Sequence, residues 1–273
     1  MKRIVGRWWH WVWVVSWLLV GSAAAEDRLR VAVVGGIDLC GVWERLMPAI
    51  EAATGIGVET IDTGPKEIVM PAFRGGRVDL LLIHGSDEAL AALADGAAAP
   101  LRPWAFNEHV ILGPEEDPAG IAGETDAARA LARIAAVGAP FVASRDPGSH
   151  GIVHRLWRRE GVQPRSTWVI PDEVPVPQQI LAYAAARRAY VVAGHIPFRF
   201  GKIAGERMRV MVRGDPRMRR LYVMLEPGPR HPAGPQARAA ARRVADWLVS
   251  PEGQTALVAA DASAGGPWIF PLP

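Results

Sequence analysis

The chain has 273 residues, half of them hydrophobic, with 31 lysines and arginines against 28 aspartates and glutamates. Three of those bases, Lys2, Arg3 and Arg7, fall in the first 25 residues, which hold no acid; subtracting them leaves 28 against 28, which argues against a nucleic-acid partner held by a general basic field. Cys40 is the single cysteine, so no intramolecular disulfide forms, and stability has to come from a core large enough for one domain or two modest lobes.

In chain order, the basic start, the apolar run 8–20 and the small residues Gly21 to Ala25 read as a secretory signal peptide over residues 1–25. Five tryptophans make the run unusually amphiphilic, so an uncleaved anchor is the alternative. No later apolar stretch reaches about 18 residues, and the mature chain is expected to be soluble and periplasmic. A strand is predicted over 29–34, then a helix over 42–54, where Val42, Leu46, Ile50 and Ala53 fall at helical spacing before Gly55. The alternation continues with strand 58–61, helix 68–73, strand 80–83, helix 87–95, strand 110–112, helix 126–137, strand 141–143, helix 150–160, strand 168–170, helix 178–188, and strands 190–193 and 208–212. Short, fully apolar strands separated by helices predict an α/β fold with largely parallel sheets covered on both faces. The Pro- and Gly-rich stretch 226–232 reads as a surface connection, followed by an arginine-rich amphipathic helix over 235–248 whose charges form a solvated face.

In open α/β sheets, ligands sit beyond the carboxyl ends of strands. Three loops occupy that position: Gly35-Gly36-Ile37-Asp38-Leu39-Cys40-Gly41, Ile83-His84-Gly85-Ser86-Asp87, and Ser144-Arg145-Asp146-Pro147-Gly148-Ser149-His150.

With residues 40–59 (CGVWERLMPAIEAATGIGVE), 77–85 (RVDLLLIHG), 107–121 (NEHVILGPEEDPAGI), 139–150 (APFVASRDPGSH) and 246–254 (DWLVSPEGQ), the chain resembles the periplasmic tungstate-binding proteins of ABC transporters. The resemblance implies a two-lobed, type II periplasmic binding fold with an anion in the cleft: lobe 1 over 26–108 plus 221–273, lobe 2 over 109–220. It further implies a monomer that delivers a tungstate- or molybdate-like oxyanion to an inner-membrane permease. The chain departs from that family at three places. Val33-Val34-Gly35-Gly36 stands where the family has a Thr-Thr-Thr-Ser run, the Ser144–His150 loop is two residues shorter, and Ala193-Gly194-His195-Ile196 stands where the family has Thr-Asp-Arg-Gly.

Helix starts offer free N–H groups, and glycine lets them approach a ligand. The expected ligand contacts are Gly35, Gly36 and Ile37 from the first loop, Arg145, Gly148, Ser149 and His150 from the third, and His195. The residues of the third loop equally suit a local cap, with Asp146 or Ser149 closing the helix end. Loss of the first-loop hydroxyls leaves a more apolar wall, suited to a larger or partly organic anion. A competing set, Cys40, His84, His150, His154 and His195, contains copper or zinc ligand types and would make the chain a delivery protein. No phosphate loop, His-Glu-x-x-His, Gly-x-Ser-x-Gly or haem-attachment motif occurs, so neither a cofactor nor catalysis is expected; a hydrolase using Ser149 or His195 is the remote alternative.

Overall fold

A computed structural model describes residues 28–203 and 205–273; the expected signal peptide lies outside them. β1 (Arg28–Val34) is an apolar strand that runs into a short helix, α1 (Gly35–Leu39), and then α2 (Val42–Thr54). Val42, Leu46 and Ile50 of α2 are buried, and the helix ends where Gly55 takes a left-handed φ of 68°. β2 (Gly57–Gly64), α3 (Lys66–Arg74), β3 (Leu80–His84) and α4 (Asp87–Ala94) repeat the alternation. The long strand β4 (Arg102–Pro114) leads to α5 (Ala127–Val137), β5 (Phe141–Ala143), α6 (Pro147–Arg159), β6 (Val169–Pro171), α7 (Ile180–Ala186), β7 (Tyr190–Gly194), α8 (His195–Arg199) and β8 (Met208–Val212). The chain returns through β9 (Arg219–Leu225) to α9 (Pro235–Leu248), α10 (Pro251–Ser263) and β10 (Ile269–Phe270).

Two strands stitch this into two lobes. β4 pairs with β9 from Arg102 to Glu108 and with β7 from His109 to Leu112, so its partners change between Glu108 and His109. β1 with β2 and β3, and β5 with β6 and β7, are parallel; every antiparallel pair involves β4 or β9. The strand order is β2-β1-β3-β9-β4-β7-β5-β6, with β8 and β10 also on β4.

The core follows from the period of the strands. Lobe 1 packs Leu29, Trp43, Leu46, Phe73, Trp104 and Tyr222 into one cluster, while the lobe-2 sheet is covered on both faces. Along β4, Ile111 faces one lobe-2 cluster and Val110 and Leu112 the other; along β7, Tyr190 and Val192 alternate with Val191 and Ala193 in the same way. Each such Leu, Ile or Val contributes about 1.5–3 kcal/mol by leaving water.

β4 extends eight residues further toward its start than the apolar run 110–112, and β9, α8, α10 and β10 have no counterpart among the predicted elements. In β4 and β9 the apolar signal is interrupted by Arg102, Asn107, Glu108, Arg219 and Arg220, residues at or near the lobe seam. Among the described residues, no helix is long and apolar enough to cross a membrane.

Candidate functional site

The seam gathers a polar cluster on one face of the crossing strands. Arg220 lies opposite Asn107, and Tyr222 opposite His84; Arg220 and Tyr222, two apart on β9, share a face. The His84 and Tyr222 rings stack with centroids 4.6 Å apart, and His84 Nε2 lies 3.3 Å from Asn107 Nδ2. From β1, a Cβ on Gly36 would stand 3.1 Å from the Tyr222 hydroxyl, so glycine lets the α1 turn close over that phenol. From lobe 2, the start of α6 arrives opposite: a Cβ on Gly148 would stand 2.7 Å from Arg220 Nη1.

The cluster leaves polar atoms buried without partners. The Tyr222 hydroxyl, Asn107 Oδ1 and His109 Nδ1 are inaccessible and lack a hydrogen bond. Each costs about 1–3 kcal/mol unless a group in the cleft satisfies it. Arg220 is half-buried and makes no hydrogen bond or ion pair among the described residues. Its guanidinium lies against the positive end of α6, a like-charge arrangement.

Titration follows the same geometry. Burial first, then the charges of Arg220 and His109, hold His84 well below its ordinary value, Asp146 opposing; the imidazole is neutral. Burial pushes the Tyr222 phenol far up, so it stays a donor. Asp146 is partly buried, which works against ionisation. The nearby His109 ring, 3.8 Å away, the backbone N–H of Ser149 and the Arg220 charge outweigh this and keep it an anion well below the carboxylate range.

Of the expected contacts, Gly36 at the α1 turn and Gly148 at the α6 start face the cluster, while Gly35, also at the α1 turn, faces Gly64 and Lys202. Ile37 packs its side chain fully into the lobe-1 core, leaving only its backbone for the cleft. Arg145 has a side chain that is 67% exposed, donates to the Val174 carbonyl and stands 3.8 Å from Asp172 Oδ1, so it braces the end of β6. The N–H and hydroxyl of Ser149 both donate to Asp146 Oδ2, at 2.8 and 2.9 Å; the helix cap claims them. His150 is exposed and its ring lies tilted against that of His154 on α6, centroids 4.1 Å apart. His195 is buried at the seam, its Nδ1 3.2 Å from Glu108 Oε2.

The metal set does not converge. Burial raises the Cys40 thiol to about 11 and it donates to the Ile37 carbonyl at 3.4 Å, so it stays protonated and structural. His84, the His150/His154 pair and His195 belong to three separate settings, and no group of three or more His, Cys, Asp or Glu side chains among the described residues is placed to hold an ion. Sequence reasoning missed Arg220, Tyr222, Asn107 and His109. The one available signal was the polar Asn107-Glu108-His109 triplet at the mouth of an apolar run.

Two lobes threaded by two crossing strands define a two-lobed, type II periplasmic-binding-protein fold. No family model matches the chain. It is similar to an ABC transporter anion-binding protein of Haloferax volcanii, 32% identical over 149 residues, 54% of this chain and 43% of that protein. The chain spans less than two thirds of the length of the curated relatives it matches. Among solved structures, the tungstate ABC transporter protein of Geobacter sulfurreducens superposes with a TM-score of 0.65 at 25% identity, covering 86% of this chain and 99% of that one. The tungstate-binding protein TupA of Desulfovibrio alaskensis G20 superposes at 0.67 with 23% identity, covering 90% and 99%. In sequence and in fold the chain is thus similar to anion-binding and tungstate-binding proteins of ABC transporters.

Proposed function

We propose that the chain is an exported, monomeric receptor that captures a small oxyanion, tungstate- or molybdate-like, between its lobes and hands it unchanged to an inner-membrane ABC permease. Arg220 carries the reading: a half-buried guanidinium without a carboxylate partner among the described residues, set against a helix start and ringed by unpartnered polar atoms, asks for negative charge. An oxyanion offers acceptors in several directions at once, matching donors that come from β9 and α6. The proteins similar to this chain, anion-binding and tungstate-binding by name, support the ligand class.

The test is thermal shift and calorimetry with tungstate, molybdate, sulfate, phosphate and simple carboxylates. A ligand at 100 times its dissociation constant stabilises by about 2.7 kcal/mol. Arg220→Met is expected to abolish the response and Arg145→Ala to keep it. The reverse pattern would overturn the site, and silence toward every oxyanion would overturn the function. A response to carboxylates alone would favour an organic anion against the apolar Val33-Val34 wall.

A further inference from the structure

Lys202 follows α8 in lobe 2, yet its ammonium reaches lobe 1. Nζ lies 3.4 Å from the position of a Cβ on Gly35, a position that is also 3.4 Å from Gly64 Cα. Gly35 follows β1 directly and Gly64 ends β2, and Val34 pairs with Gly64 across these parallel neighbours. Two glycines at the carboxyl ends of adjacent strands therefore open the space that this side chain enters, at the place where open α/β sheets receive ligands.

The approach is held by packing from lobe 2 onto lobe 1. Ile196 of α8 belongs to the lobe-1 core, and the rings of His195 and Phe200 each meet Trp268 edge-on at 5.3 Å. Of the three lysines in the chain, Lys66 is ion-paired with Glu88, whereas Lys202 is exposed and meets no carboxylate among the described residues.

We propose that Lys202 is a second ligand-binding cation, supplied by lobe 2 over the β1–α1 turn, so that the anion is held between it and Arg220 of the crossing strand. The inference rests on the oxyanion reading above. Its consequence is a coupling of binding to closure: two unpaired cations facing one cleft repel until an anion lies between them, and then both attract it.

Calorimetry with molybdate and tungstate as probes, on wild type and on Lys202→Gln, Lys202→Arg and Lys202→Glu, tests the proposal. Lys202→Gln is expected to raise the dissociation constant about tenfold, equivalent to about 1.4 kcal/mol. Lys202→Arg should recover most of that loss and Lys202→Glu should deepen it, while the melting temperature of the unliganded protein does not fall in any of them, because the side chain is exposed and holds no ion pair among the described residues. Wild type and Lys202→Gln binding within twofold of each other would overturn the Lys202 proposal and leave the oxyanion reading standing. Equal losses in the Gln, Arg and Glu variants would reduce Lys202 to packing and overturn it as well. If wild type binds neither probe, nor sulfate or phosphate, both readings fall.

Discussion

At Asp146 one carboxylate closes the first turn of α6 through Ser149, faces His109 at 3.8 Å and balances part of the Arg220 charge. Asp146→Ala is expected to cost about 1 kcal/mol of stability in urea unfolding at neutral pH, as a lost cap does. The folded carboxyl titrates below its ordinary 3.8, so this contribution is present above that pH and is lost as pH falls below it. The gap between variant and wild type should therefore close in acid. His84 works in the opposite sense. Its folded value lies below the ordinary 6.5, so the unfolded chain takes up the proton first and stability falls as pH drops below 6.5. A pH series of melting temperatures should show a shallower acid decline for His84→Gln than for wild type; parallel curves would contradict a buried neutral imidazole. The Asp146 cap was one of two readings open in the third loop as sequence, because cap and ligand clamp use the same residues.

β9 and β4 decide at the level of elements what the loops do not. Asn107, Arg220, His84 and Tyr222 come together only through the register of three strands, of which β9 lies more than 100 residues further along the chain than β3 and β4. The α6 start is glycine where the guanidinium passes. A Cβ on Gly148 would meet Arg220 Nη1 at 2.7 Å and its Cδ and Cζ at 3.0 Å. Gly148→Ala should thus displace the cation and weaken oxyanion binding about tenfold, while stability holds or rises, since alanine is favoured over glycine in a helix by up to about 1 kcal/mol. Opposite signs in calorimetry and in thermal melting distinguish this from simple misfolding. The apolar elements were legible because burial on both faces leaves uninterrupted hydrophobic runs. The start of β4 was not, because Arg102, Asn107 and Glu108 break the apolar pattern there; β9 carries its own apolar run, Leu221–Leu225, behind Arg219 and Arg220.

For the molecule as a whole, the seam is held by Glu108. Its carboxylate takes the Gly214 N–H from the returning crossing and lies 3.2 Å from His195 Nδ1, joining β4, α8 and the segment before β9. Glu108→Ala would leave the buried His195 without its carboxylate, at about 1–3 kcal/mol, and hand the exposed Gly214 N–H to solvent, and should lower the urea midpoint together with oxyanion affinity. An unchanged midpoint would show that the seam has other supports. By itself the sequence determined the alternation of strands and helices, the two-sided burial of the sheets and the resemblance that names the fold class, because hydrophobic period and turn chemistry are local. Only the tertiary structure decided where the arginines lie, turning Arg145 toward Asp172 and bringing Arg220 to Gly148. That choice depends on strand pairing between distant segments and on the space glycines leave, and neither is encoded in any single stretch of chain.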